Sequence, residues 1–222
     1  MTDAQISPSF NALVSWLSSK EKDPKQWRIG TEHEKFIYTL DGFAPVAYEG
    51  DAGIEAILHY LSDSYDMIPI MEQGKYVALK TNDGASISLE PGGQFELSGN
   101  IVKTLHQSCV ETHKHLSQML DVTAKLGLGM IGLGFHPTAL REQINWMPKG
   151  RYKVMKNYMP KVGNLGLDMM LRTCTIQTNL DYQDEEDMRR KFKTSLALQP
   201  IATALFANSP IKDGRLTNIQ SN

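Results

Sequence analysis

The chain has 222 residues, of which 41% are apolar and 22% charged, with a formal net charge of -2. That length supports one substantial hydrophobic core, and the balance excludes a disordered chain. Basic residues are scattered, which argues against a nucleic-acid surface, and no apolar run is long enough for a membrane span.

Residues 1–9 show no basic segment followed by an apolar one, so no secretory signal is expected. Two well-separated cysteines, Cys109 and Cys174, fit a reducing compartment, and a cytoplasmic protein is expected; a single disulfide is the alternative. Phe10, Leu13, Val14 and Leu17 follow helical spacing and predict a helix over Phe10–Ser19, capped by Ser9. Residues 27–40 read as one long strand or two, closing on Asp41-Gly42. Ile54, Ile57, Leu58 and Leu61 mark a second helix. Three strand-length pieces follow: Lys75–Lys80, Ala85–Glu90 and Gln94–Leu97. They are separated by Asn82-Asp83-Gly84 and Pro91-Gly92-Gly93, so an antiparallel meander is expected. The three-residue Pro-Gly-Gly is either a plain turn or a place where backbone approaches a ligand.

A long helix is predicted over Ile101–Leu126, ended by Gly127, with Cys109 on its apolar stripe and therefore expected to be buried. Leu128–Phe135 is a glycine-rich strand whose Gly132 and Gly134 lack phosphate-loop spacing. Residues 148–164 are basic and aromatic. Arg172–Leu180 alternates cleanly: Thr173, Thr175, Gln177 and Asn179 face one way, and both faces are expected to be covered. A final helix is predicted from Glu185 to about Asn208, bent or divided by Pro200. The sum is a single α+β domain over residues 1–222, with long helices on a mostly antiparallel sheet.

Four glutamates carry the strongest chemical signal. Glu32 and Glu34 lie two apart in a strand-like segment and share a face; Glu90 and Glu96 lie in a second such segment. Carboxylates on a sheet face are costly to desolvate, and a hard cation such as Mg²⁺ offsets that cost with oxygen ligation. Each pair alone also reads as a solvated polar face. Arg151 and Arg172 offer planar donor forks suited to carboxylate or phosphate, or to structural ion pairs.

Taken together, Ile29–Phe36, Ser88–Ser98, Met147–Tyr152, Tyr158–Gly163, Leu167–Asp181 and Phe206–Pro210 resemble the plant and proteobacterial type of glutamate–cysteine ligase. The resemblance runs from about Arg28 to Gly214, with an unfamiliar stretch at 215–222. It implies the catalytic fold of glutamine synthetase and an ATP- and Mg²⁺-dependent ligase. That enzyme joins the glutamate γ-carboxylate to the cysteine amine through γ-glutamyl phosphate, the first step of glutathione synthesis. It also implies that Glu32, Glu34, Glu90 and Glu96 hold Mg²⁺, with Glu32 and Glu96 leading, unless one of the four orients a substrate amine. Arg151 and Arg172 then act on substrate carboxylate or phosphate, and Gln177, Asn179 and Tyr152 line the substrate or nucleotide site. Strict alternation places Arg172 opposite Gln177 and Asn179, so its role requires a bulge or strand start near Thr173. Family members are expected to be about twice as long. The chain is therefore expected to be an N-terminal portion with little turnover alone; the alternatives are a non-catalytic binding domain and a ligase for another amine. The partners implied are glutamate, cysteine and ATP, and oligomeric state is not readable.

Overall fold

A computed structural model describes residues 8–221. Residues 1–7, part of the segment expected to carry no secretory signal, lie outside them. Helix α1 (Phe10–Ser18) begins where Ser9 Oγ accepts the Ala12 N–H at 3.2 Å, the expected cap. Strand β1 (Ile29–Thr39) is one continuous strand, which resolves the choice between one and two. Helix α2 (Ile54–Tyr65) buries the expected stripe of Ile54, Ile57, Leu58 and Leu61. Strands β2 (Ile68–Glu72), β3 (Lys75–Lys80), β4 (Ser86–Leu89) and β5 (Phe95–Ser98) form the antiparallel meander.

Helix α3 (Leu105–Leu126) starts later than its apolar pattern suggests. Thr104 and Gln107 close a capping box there, and Val102 instead bridges Ile29. Gly127, at φ +66°, ends it. Strand β6 (Leu128–Ile131) follows, then two helices without a sequence counterpart, α4 (Gly150–Val162) and α5 (Gly166–Arg172). Strand β7 (Ile176–Leu180) is shorter than expected, because the chain is still helical through Arg172. Helix α6 (Glu185–Leu205) carries Pro200 inside it without being divided. A short hairpin of β8 (Ile211–Lys212) and β9 (Arg215–Leu216) closes the described chain.

The main sheet runs β2-β3-β4-β5-β1-β6, and β7 also pairs with β1. β1 organises it: Glu32–Lys35 meet β5, Ile29–His33 meet β7 and Phe36–Thr39 meet β6, all antiparallel. Every residue of β7 is exposed, contrary to the expectation of two covered faces, because β7 pairs with β1 alone. On the other face, Leu79, Ile87, Leu89 and Phe95 pack beneath Ile57, Leu58 and Leu61 of α2 and Met119 and Val122 of α3. Period-two alternation then turns Ser88, Glu96 and Glu34, paired across β4, β5 and β1, to the opposite face.

The buried stripe of α3 is Ser108, His115, Met119, Val122 and Thr123. Cys109, one step around the helix, is exposed rather than buried, whereas Cys174 is buried; both are free thiols. No described helix is long and apolar enough to cross a membrane.

Candidate active site

The polar face of the sheet opens into a cavity of about 380 Å³, whose walls include Glu34, Glu90, Gln94, Arg151, Tyr152, Thr175 and Gln177. β1 and β5 place Glu34 directly across from Glu96. Glu90 follows β4 with the same parity as Ser88, so the turn delivers its carboxylate to the same side. Burial raises the Glu34 carboxyl above its ordinary range, with the Glu96 charge adding to the effect and hydrogen bonds from Thr175 opposing it. Burial, then the charges of Glu96 and Glu34, push Glu90 up to about 7. Three carboxylates therefore share one electrostatic field, and at neutral pH one of them holds a proton part of the time.

Each is also partnered. The backbone N–H and hydroxyl of Thr175 donate to Glu34 at 3.0 and 2.9 Å. Ser98 Oγ donates to Glu96 Oε1. Arg151 Nη2 stands 3.7 Å from Glu90 Oε1 and donates to Tyr152 Oη at 3.0 Å. Tyr152 is fully buried and its hydroxyl donates to the Leu89 carbonyl, which Lys149 Nζ also reaches at 2.8 Å. The first turn of α4 is thus pinned to the end of β4, which sets Arg151 over Glu90.

Glu32 stands apart. It shares the face of Glu34, but the donor it meets is Asn179 Nδ2 at 2.8 Å, and it is not among the charges that raise Glu34 and Glu90. Among the described residues no three acidic, histidine or cysteine side chains close around one ion-sized space, so the expected four-glutamate metal centre is not gathered as a coordination shell. Gln177 faces the cavity and donates to Thr175 Oγ1 at 3.0 Å.

Arg172 is corrected. It ends α5 instead of starting a strand, and is 3% exposed. Its guanidinium pairs with Asp168 at 3.2 Å and with Asp213, and lies 4.5 Å over the Phe135 ring. It ties α5 to the β8–β9 hairpin and does not line the cavity. Sequence alternation puts Thr175 on the face of Gln177 without giving it a role, and it misses Gln94 and Lys149. Gln94, buried at 2% exposure, donates to the carbonyls of Met170 and Thr173 and accepts from the Gly92 N–H, fastening β5 to α5. A glutamine beside two glycines gives no outward sign of this.

Fold and site together define an α+β domain whose antiparallel sheet carries a ligand-sized acidic cavity on its polar face. The model of glutamate-cysteine ligase family 2 matches residues 28–222, and the chain belongs to that family. The match includes residues 215–222, which the sequence reading had set outside the resemblance. Over 203 residues the chain is 54% identical to glutamate–cysteine ligase A, chloroplastic, of Oryza sativa subsp. japonica, covering 91% of this chain and 40% of that protein. It is 53% identical to the chloroplastic ligase of Brassica juncea and 52% identical to that of Arabidopsis thaliana, covering 39% and 38% of those proteins. The chain thus spans about two-fifths of the length of these relatives. The cytoplasmic location expected from cysteine usage is overturned by these relatives, which are named as chloroplastic.

Proposed function

We propose that this chain contributes the acidic wall of a site for ATP-dependent ligation of the glutamate γ-carboxylate to the cysteine amine, the first step of glutathione synthesis. The carrying observation is the opposition of Glu34 and Glu90 to the Arg151 guanidinium at one cavity, with the Glu96 charge acting on both carboxylates from beside it. Family membership and the names of the relatives support the reaction class.

In this reading Arg151, the one charged donor fork among the described residues of the cavity wall, takes a substrate carboxylate or phosphate. Tyr152 fixes the floor beneath it, and Thr175, Gln177 and Asn179 hold Glu34 and Glu32 in place. The donor chemistry fits Mg²⁺ bound largely through water and phosphate oxygens, with Glu34, Glu90 and Glu96 reaching it in part through water and not as three direct ligands. A bound Mg²⁺ supplies neutralisation of phosphate charge. Glu90, poised near neutrality, adjusts the charge of the wall when a cation or anion arrives.

Mn²⁺, followed by electron paramagnetic resonance, tests the assignment on the chain itself. Glu34→Gln and Glu90→Gln should each weaken binding about tenfold, ~1.4 kcal/mol, and Glu32→Gln much less. Absence of Mn²⁺ binding in the unaltered chain, or equal affinity in all three variants, would overturn the cation role.

A further inference from the structure

Behind the acidic wall, the interface between β1 and α3 carries a seam of polar pairs in an otherwise apolar core. Alternate residues of β1 meet successive turns of α3. Thr31 Oγ1 lies 3.3 Å from Ser108 Oγ, His33 Nε2 3.4 Å from Thr112 Oγ1, and Lys35 Nζ 2.9 Å from His115 Nε2. Lys35 is 5% exposed and His115 2%. Lys35 also donates to the His33 carbonyl at 3.2 Å.

Neither partner of this ammonium carries negative charge. Burial and the neighbouring Lys35 hold His115 down to about 3, so its ring is neutral at pH 7 and its Nε2 accepts. The Nδ1 then bears the hydrogen, and it is buried with no partner among the described residues. A buried cation of this kind is expensive, and apolar residues of similar volume usually serve stability as well or better. Burial lowers the Lys35 ammonium to about 8, and Cys174, Glu96 and Glu34 act against that fall. The two glutamates belong to the other side of the sheet: Lys35 follows Glu34 in β1 and sits opposite Phe95, the neighbour of Glu96.

We propose that Lys35 is a positioning residue, the internal counter-charge of the acidic wall: seated on His115, its ammonium holds Glu34 and Glu96 together on the opposite face while no cation is bound there. The inference rests on the assignment of those carboxylates to the cation end of the site. It extends that assignment to a residue that touches neither substrate nor metal. A cation arriving at the wall takes over part of the work of Lys35, so Lys35 moderates cation affinity while keeping the empty site assembled.

A metal-free double-mutant cycle separates this from a packing role. In the unaltered chain Glu96→Gln should lower the urea midpoint or leave it unchanged. In the Lys35→Met background the same change should raise it, because it removes an uncompensated charge. Additive effects of the two substitutions would overturn the proposal. If Lys35→Met alone does not fold, recovery of folding in Lys35→Met/Glu96→Gln supports it, and failure of the double variant as well overturns it. A second arm titrates Mn²⁺. Lys35→Met should bind it about tenfold tighter, the scale of one unit charge acting across a sheet at an effective dielectric of about 20. Its thermal midpoint should rise more on Mn²⁺ addition than that of the unaltered chain. Equal affinities would count against the counter-charge. Loss of Mn²⁺ binding in every form would remove the cation assignment instead, with the metal-free cycle still deciding the role of Lys35.

Discussion

Glu90 shows how a single residue reports on the site. Its carboxyl is raised from 4.5 to about 7 in the folded chain by burial and by Glu96 and Glu34. The folded state therefore binds the proton more tightly than the unfolded state. Stability from this group is fully present below 4.5 and is lost as pH rises through about 7. Buried His115 and His136, held down to about 3 and about 4, add stability as pH rises over the same range, so the effect of Glu90 shows as a difference. Between about pH 5 and about pH 8 the urea midpoint of the unaltered chain should fall relative to that of Glu90→Gln, which cannot titrate. An identical pH dependence in both would mean that Glu90 is not the strained member of the cluster. At this scale much was legible. Period two in β1 put Glu32 and Glu34 on one face, and the same period in β7 put Gln177 with Thr175 on the cavity side. Arg172 was not legible. Asp168 lies one turn back on the same helix, but nothing local in the sequence shows that a hairpin 41 residues later supplies its second carboxylate, Asp213.

Among the elements, the turn between β4 and β5 was recognised by Pro91-Gly92-Gly93, but its reason was not. Gly93 has φ +84°, which favours glycine. At Gly92 a Cβ would lie 2.4 Å from the Leu171 carbonyl oxygen of α5 and 3.0 Å from Gln94 Oε1. The close approach at Gly92 is thus to the backbone of α5. Gly92→Ala should force β5 and α5 apart, costing about 1–3 kcal/mol, and should move Glu90 and Gln94 with the turn. A thermal melt equal to that of the unaltered chain would show that α5 yields freely. The meander, α2 and most of α3 followed from periodicity and glycine punctuation. α4 and α5 escaped because Gly150, Pro160, Gly163 and Gly166 break the pattern a helix normally shows; the glycines sit at the helix ends, where they are tolerated, and Pro160 lies inside the last turns of α4. The strand at 172–180 was read too long because alternation continues through residues whose backbone is still helical or irregular.

At the scale of the whole molecule, family membership came from motifs joined across the chain, each weak alone. Compartment did not, because two free thiols are compatible with any reducing interior. The acidic wall sits beside β7, which pairs along β1 only and is exposed over its whole length. A site so open to water cannot preorganise an acyl phosphate well. Supplied with ATP, Mg²⁺, glutamate and cysteine, the 222-residue chain should form γ-glutamylcysteine more slowly than about 1 per second. Binding tests the central claim more directly than turnover does. Calorimetric titration of glutamate into the chain, with Mg²⁺ and a non-hydrolysable ATP analogue present, should show saturable binding that Arg151→Ala weakens at least tenfold, ~1.4 kcal/mol. Equal binding by Arg151→Ala, or no glutamate binding by the unaltered chain, would contradict the assignment of this cavity to a ligase site.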